Sequence, residues 1–232
     1  MIRHFSISIL VPALLCSALN AQEHRPALDG NWTTVENFVQ QAFFLTHSSG
    51  SLMLSGTCRT TQQGSVVASD TISSPPPAIS SDFSQAMIAV SQQDPHLSWA
   101  RDANGYIRVK DDRVTGDVLQ IHLKVVHFKG AVDSNAAIRD VLSAQEVRAY
   151  LREKHIEEGT VFTNIVPTST KGFPKLSEDL RDVTVAQALD RVVKFFPGLW
   201  IYSECTTDSF RRVTIRGAEV GWPAESPSTD RR

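Results

Sequence analysis

The chain has 232 residues, and its formal net charge of −2 at pH 7 reflects nearly equal numbers of acidic and basic side chains. Its length is enough for one domain or two small ones with real cores, and 41% of its residues are hydrophobic. The balanced charge and the scattered lysines and arginines argue against nucleic acid and anionic lipid as partners.

The first 21 residues have the layout of a secretory signal peptide. Arg3 precedes a short apolar run that ends at small residues, after which polarity rises sharply. We expect cleavage after Ala21 or Ala18 and a mature protein that is periplasmic or secreted, with no membrane span after cleavage. An uncleaved membrane anchor is the less favoured alternative, because the run is short and contains Pro12.

Two cysteines remain after cleavage, Cys58 and Cys205, since Cys16 leaves with the signal peptide. An even number of thiols in an oxidising compartment predicts one disulfide bond, which ties the first half of the chain to the end of the second. Two buried free thiols are the alternative. Metal binding needs more ligands than two cysteines, and no histidine stands at zinc-finger spacing beside either.

The first predicted elements lie in the N-terminal third of the chain. Thr33 and Glu36 have the spacing of a capping box, and the apolar stripe behind them predicts an amphipathic helix over residues 34–46. Leu52–Leu54 has the pattern of a strand. The segment Thr60–Ser81 is rich in Ser, Thr, Gln and Gly and contains three consecutive prolines, so it is predicted as a loop or linker.

A helix followed by a hairpin comes next. Asp82 caps the predicted helix, which ends at Asp94–Pro95. Strands are predicted at Leu97–Trp99 and Tyr106–Val109, because Asn104–Gly105 between them supplies the positive φ that hairpin turns need.

The middle of the chain is predicted as one long strand and two helices. The strand, Val118–Phe128, alternates between apolar and polar residues. Its predicted apolar face consists of Ile121, Leu123 and Val125. Helices follow at Asp133–Leu142 and from Ser143, which forms a further capping box with Glu146, to a stop before Gly159.

The order of helix and hairpin recurs near the C-terminus. Thr184 caps a predicted helix that ends at Pro197–Gly198. Strands are predicted before it at Val161–Val166 and after it at Leu199–Tyr202 and Arg212–Ile215.

Two stretches of the chain are similar to each other. Asp82–Met87 and Thr184–Leu189 both contain a cap residue, a Gln three positions later, an Ala and a large apolar residue. Both helices then run to a proline, and the two copies align without a gap. This internal repeat predicts one small α/β unit that is used twice.

The segment Leu180–Asp190, with its Val-Thr-Val phrase followed by Ala-Leu, resembles the short periplasmic domains of secretins and of TonB-dependent transporters. That resemblance covers the second copy and, more weakly, the first. It implies protein contact in the periplasm through the edge strands of small sheets. We expect neither a pore nor a transporter, since no barrel or secretin core follows. A second resemblance, to a group of secreted bacterial proteins, rests on Phe196–Cys205 and Asn104–Val109 and implies no activity.

Motifs of the common enzyme classes are missing from the sequence, which has no Gly-x-Ser-x-Gly elbow, no His-Glu-x-x-His and no glycine-rich phosphate or dinucleotide loop. His122 and His127 share a predicted strand but point to opposite faces. His155–Glu158 is interpreted as a solvated helix end, and Asp111–Asp112 as a charged turn rather than a calcium loop. We therefore predict no enzymatic activity and no cofactor. An unrecognised hydrolase, with acids near His122 and His155, is the weaker alternative.

Four aromatic residues, Trp99, Tyr106, Trp200 and Tyr202, lie on the predicted hairpins. Core packing is the favoured interpretation of their positions. If they are exposed instead, they form a binding surface on which a glycan or another small ligand stacks. These residues and the two cysteines are the site residues that the sequence offers.

These patterns predict an α+β protein made of two related helix-plus-β-hairpin units with small sheets, joined by a helical segment. The predicted function is a non-catalytic protein-binding or envelope-assembly module in contact with an envelope protein; a small-ligand or glycan-binding protein is the alternative. The predicted segments are a signal peptide at 1–21, an N-terminal unit at 22–128 with the first copy at about 82–110, a helical connector at 129–158, a C-terminal unit at 159–220 with the second copy at about 180–216, and a disordered tail at 221–232.

Overall fold

The computed structural model describes residues 34–61, 64–69, 82–159 and 174–219. The predicted signal peptide, the strand predicted at Val161–Val166 and the predicted tail lie outside these ranges. Across the described residues, no helix is long and apolar enough to cross a membrane.

Five α-helices form in the described ranges, and a polar residue precedes each of them except α4, which follows Ala144. The helices are α1 Val35–Leu45, α2 Phe83–Ser91, α3 Ser134–Leu142, α4 Gln145–Glu153 and α5 Val185–Phe195. Side chains that accept a backbone N–H of the first turn are Thr34, Asp82, Asp133 and Thr184. The first predicted helix is therefore confirmed, with Thr34 rather than Thr33 as its cap.

Nine strands in the described ranges complete an α+β fold, which is the predicted class. They are β1 Gly50–Thr61, β2 Gly64–Ser69, β3 Leu97–Arg101, β4 Ile107–Asp111, β5 His122–His127, β6 Ile156–Glu158, β7 Asp179–Thr184, β8 Gly198–Thr206 and β9 Arg211–Glu219. Seven strands form one sheet in the order β3-β4-β1-β8-β9-β6, with β2 paired to β1 outside this path. Strands β5 and β7 form a separate antiparallel pair.

Strand β1 connects the two predicted copies within this sheet. It runs parallel to β4 on one side and to β8 on the other, and each copy contributes an antiparallel hairpin, β3–β4 or β8–β9. Gly105 in the first hairpin has a φ of 82°, as the predicted Asn-Gly turn requires. The predicted disulfide is also confirmed: it joins Cys58 of β1 to Cys205 of β8, with their Cα atoms 5.3 Å apart.

The two faces of the central sheet pack against different helices. In β8, Leu199 and Ile201 pack with α1 and α2, whereas Trp200 and Tyr202 pack with α3, α4 and α5. Side chains of a strand alternate between faces, so these are opposite sides of one sheet. We call them the α1–α2 face and the α5 face.

The two predicted copies share an order of elements but occupy different positions. In each, a capped helix precedes a hairpin, which gives α2 before β3–β4 and α5 before β8–β9. Helix α2 packs on one face of the sheet and α5 on the other. The first hairpin ends the sheet, whereas the second lies inside it. That the two copies are one unit used twice stays a prediction.

The strand predicted at Val118–Phe128 is wrong at its beginning. Asp117–Gln120 is a 3₁₀ turn, and β5 starts only after it. The buried side chains of β5 are Leu123 and Val126, so the predicted apolar face is also wrong in its second half. The alternation breaks where Asp182 of the paired strand β7 has a left-handed φ of 52° and is skipped in the pairing.

Two expectations about loops are also corrected. Part of the loop predicted at Thr60–Ser81 is a hairpin, in which β2 pairs antiparallel with the end of β1 and Gly64 lies opposite Thr61. The capping box predicted at Ser143 does not form. Its hydroxyl donates to the carbonyl of Asp140 at 2.8 Å, and α4 begins without a side-chain cap.

Candidate functional site

The structure separates the four aromatic residues predicted as a binding surface. Trp200 and Tyr202 lie on the α5 face and are fully buried, and Tyr106 is also buried. Trp99 lies on the α1–α2 face, where it is partly buried with its ring centre 5.6 Å from that of Phe83. Three of the four are therefore core residues, which agrees with the interpretation that the sequence favoured, and the alternative of an exposed binding surface loses these three.

Two of these aromatic side chains meet at one carboxylate. Asp190 of α5 accepts the Tyr106 hydroxyl at 2.5 Å, the Trp200 indole N–H at 2.8 Å and the Arg108 guanidinium at 2.8 Å. Burial raises the pKa of Tyr106, and the Asp190 charge raises it further. The cluster connects the first hairpin to α5 through hydrogen bonds to a largely buried anion.

A second polar cluster is centred on Arg211 of β9. Its guanidinium donates to Asp117 at 2.6 Å and to Glu204 at 2.5 Å. Glu204 also accepts the Tyr202 hydroxyl at 2.7 Å and the backbone N–H of Thr115 at 2.5 Å. Because Glu204 lies in the buried strand β8, this pairing satisfies a carboxylate that has almost no contact with water.

The carboxylates and the tyrosine of the Arg211 cluster have pKa values shifted away from neutral pH. The hydrogen bond from Arg211 lowers the pKa of Asp117 to about 2. Burial alone raises the pKa of Glu204, but hydrogen bonds from Tyr202 and Arg211 outweigh it, and the pKa of Glu204 falls below its ordinary value. Burial and the Glu204 charge raise the pKa of Tyr202. These directions favour a structural cross-link over acid–base catalysis, which needs a group poised near neutral pH.

Sequence reasoning missed both polar clusters, because each joins neighbouring residues to a distant one: Tyr106 and Asp190 are 84 positions apart, and Asp117 and Arg211 are 94 apart. One signal was available for the second. Glu204 stands in the mostly apolar run Leu199–Cys205, and a buried carboxylate needs a cation or several donors. The sequence does not show which of its arginines supplies them.

The histidines and acids considered for catalysis or metal binding do not converge. His122 and His127 are exposed, and His127 pairs with Asp179 at 2.7 Å. His155 is exposed after α4, and Asp111 is buried in an ion pair. Among the residues that the structure describes, no three or more His, Cys, Asp or Glu side chains are grouped so that they hold a metal ion.

At the free edge of the sheet, successive residues of β3 direct their backbone groups alternately toward β4 and outward. At one end of the first hairpin the N–H of Asp112 donates to the carbonyl of His96 at 3.0 Å. At the other end the N–H of Asp102 donates to the carbonyl of Tyr106 at 2.9 Å. Hydrogen-bonded pairs alternate along an antiparallel ladder. The even-numbered residues of β3 therefore direct their backbone groups toward β4, and the odd-numbered ones direct theirs outward.

Two residues of β3 present outward backbone groups to solvent. The N–H of Leu97 donates to the carbonyl of Asp94 at 3.2 Å, and its carbonyl accepts the Ser91 hydroxyl at 3.4 Å, so its groups are used within the chain. Trp99 and Arg101 remain. No strand in the described ranges pairs with this side of β3. The edge thus offers two N–H and two C=O groups to an added strand.

Helix α2 provides an apolar surface beside this edge. Its Ser91 hydroxyl bonds to Leu97 of β3, which fixes the flank of the helix that faces the edge. Ile88 lies three residues before Ser91, on the same flank. It is 48% exposed, and Phe44 is the other exposed large hydrophobic residue in the described ranges. We define the β3 edge site as Ile88, Trp99 and Arg101.

No protein-family model, no curated protein and no solved structure matches this chain. The assignment of a function therefore depends on the geometry of the described residues and on the patterns in the sequence.

Proposed function

We propose that this chain is a non-catalytic protein-binding module of the periplasm or the cell exterior, and that it binds an envelope protein by strand addition at the β3 edge site. The observation that carries the proposal is the pair of residues, Trp99 and Arg101, whose outward N–H and C=O groups have no neighbouring strand in the described ranges. An extended segment of a partner satisfies such groups and extends the sheet by one strand.

Two other edges of the described sheets, at β6 and β7, are less suited to this role. Strand β6, at the opposite end of the large sheet, has only three residues. Strand β7 contains Asp182 with its left-handed φ of 52°, which interrupts the regular ladder that an added strand needs. Strand β3 has five residues and lies beside the exposed Ile88.

The alternatives receive less support from the same residues. A glycan-binding protein is left with Trp99, since Tyr106, Trp200 and Tyr202 are buried. A hydrolase needs a carboxylate that is free to act on a substrate, whereas Asp190 and those of the Arg211 cluster each accept several hydrogen bonds. Such carboxylates favour a structural role.

Site-specific photo-crosslinking in the cell envelope tests the proposal. A photoreactive amino acid replaces Ala100 on the edge or, as the matched control, Glu153, which is exposed on α4. We expect a discrete crosslinked envelope protein from position 100 and none of the same mass from position 153. The Arg101→Pro variant should abolish the product, because proline removes the outward N–H without touching the ladder to β4.

The control for that variant is Arg101→Gln, which removes the charge but keeps the N–H. A crosslinked product that persists in Arg101→Pro, or that forms equally from both positions, contradicts strand addition at β3. Both variants are first shown to be folded and disulfide-bonded by thermal unfolding with and without reductant.

A further inference from the structure

We infer that the segment bound at the β3 edge site carries an acidic side chain two residues away from an apolar one. This inference rests on the proposed function and deepens it, because it specifies the chemistry of the partner. The inference follows from the positions of the outward backbone groups of β3 and from the side chains that lie beside them.

The alternation of backbone groups along β3 determines which residue of a bound strand lies beside Trp99 and which lies beside Arg101. In an antiparallel added strand, the partner residues that exchange hydrogen bonds with Trp99 and Arg101 lie directly opposite them and are two positions apart. Directly opposite residues place their side chains on the same face of a sheet. Both partner side chains therefore lie on the α1–α2 face, one beside Trp99 and the other beside Arg101.

The position beside Trp99 is apolar. The Trp99 ring is partly exposed at the edge and packs on its inner side against Phe83, in edge-to-face geometry at 5.6 Å. Ile88 lies on the flank of α2 that faces the same edge and is about half exposed. An apolar partner side chain beside Trp99 covers the exposed part of its ring, and burial of that area stabilises the complex.

The position beside Arg101 is cationic. Arg101 is exposed and has no carboxylate partner among the described residues. The neighbouring acids are already engaged. Asp102 accepts the N–H groups of Asn104 at 2.8 Å and Tyr106 at 3.0 Å, and Asp94 pairs with Arg113 at 3.3 Å.

A second cation lies on the opposite face of the same hairpin. Lys110 of β4 is exposed and also has no carboxylate partner among the residues that the structure describes. Each face of the edge therefore presents one cation that pairs with no carboxylate of the described residues. An acidic side chain opposite Arg101 complements it, and positive charge at the edge disfavours a basic segment.

A second copy of this chain is a poorer occupant of the edge. A symmetrical pairing that uses the outward groups of both copies sets Trp99 of each copy opposite Arg101 of the other. Each guanidinium then lies beside an indole, which is a favourable cation–π contact, but it has no carboxylate opposite its charge. A separate acidic segment supplies both the charge and the apolar contact, so we favour it over self-association.

Selection from a displayed library of random heptapeptides tests the inference. The baits are the mature wild-type protein, Arg101→Glu and Arg101→Pro. With the wild type we expect Asp and Glu to be enriched about fivefold at the position two residues from a selected apolar residue, the size of effect that an exposed ion pair produces. With Arg101→Glu we expect that position to select Lys and Arg, while the apolar position is unchanged.

The outcomes distinguish a failure of the inferred acidic preference from a failure of strand addition at β3. Peptides that bind the wild type, fail on Arg101→Pro and show no acidic preference overturn the inference and leave strand addition standing. Peptides that bind wild type and Arg101→Pro equally overturn strand addition itself. A wild-type dimer in sedimentation equilibrium that becomes monomeric in Arg101→Pro makes a second copy the occupant, which also overturns the inference.

Discussion

The two helix-plus-hairpin regions of this protein have similar local sequences but opposite environments. Strand β3 of the first region has one buried residue out of five, whereas β8 of the second has eight out of nine. The difference follows from position in the sheet, because β3 is an edge strand and β8 lies between β1 and β9. Position in the sheet, more than local sequence, therefore decides whether such a unit is available for binding.

The second region also carries the cross-links that hold the fold together. Cys205 forms the disulfide to Cys58, and Glu204 and Arg211 form the buried polar cluster with Asp117. The first region contributes Tyr106 and Arg108 to a cluster whose carboxylate belongs to α5. We expect substitutions in the second region to change stability most, and substitutions at the β3 edge to change binding with little effect on stability.

The largest expected effect distinguishes the tryptophans of the two regions. Trp200→Ala should lower the free energy of unfolding by about 4 kcal/mol, because it leaves a cavity and removes a hydrogen bond to Asp190. Trp99→Ala should cost about 1 kcal/mol, since that side chain is only partly buried. Urea unfolding measures both. Equal losses would contradict the distinction between a buried and an edge hairpin.

The disulfide is expected to have the next largest effect. The double variant Cys58→Ala/Cys205→Ala should lose about 3 kcal/mol of unfolding free energy, because the bond constrains a long loop of the unfolded chain. Thermal unfolding of this variant and of the reduced wild type checks the value. A variant as stable as the oxidised wild type would show that the second region is held by its core and polar cluster alone.

The Arg211 cluster should make stability depend on pH in the acidic range. The pKa of Asp117 is lowered from 3.8 to about 2 on folding, so its contribution is present above pH 4 and is lost as the pH falls toward 2. Since this carboxylate is partly solvated, we expect about 1 kcal/mol. Asp117→Asn should therefore be less stable than the wild type at pH 6 and nearly equal to it at pH 2.

The exposed pair of the first hairpin provides the control for that measurement. Asp112 bonds to His96 at 2.8 Å, and its side chain is 69% exposed. Asp112→Asn should change the unfolding free energy little at either pH, because exposed pairs contribute little. A larger acid dependence in Asp112→Asn than in Asp117→Asn would reverse the assignment of the stabilising charges to the second region.

Local patterns in the sequence were sufficient for much of the fold. The cap residues Asp82 and Thr184, the Asn104–Gly105 turn and the pairing of Cys58 with Cys205 each depend on nearby residues or on a simple count. The insertion of β1 between the two hairpins did not follow from such patterns. It is a long-range pairing, and no local preference specifies which strands become neighbours.

The candidate site was less predictable for the same reason. Trp99 and Trp200 look alike in the sequence, yet one lies at an edge and the other in the core. The skipped pairing at Asp182 and the convergence of Arg211 on Asp117 and Glu204 also depend on tertiary contacts. Predicting the site required knowledge of the strand order, because the strand order alone makes β3 an edge.

The smallest expected effect on stability belongs to Arg101, the residue to which the proposed function gives the largest role in binding. Arg101 has no carboxylate partner among the described residues, and its side chain is exposed. Arg101→Gln should therefore keep the unfolding free energy within about 0.5 kcal/mol of the wild type. The matched variant Arg211→Gln should lower the free energy of unfolding several times more, because it leaves the buried Glu204 without its cation.

Urea unfolding compares the two variants. If Arg101→Gln loses as much free energy of unfolding as Arg211→Gln, Arg101 is a structural residue. The edge is then occupied by the chain itself rather than open to a partner.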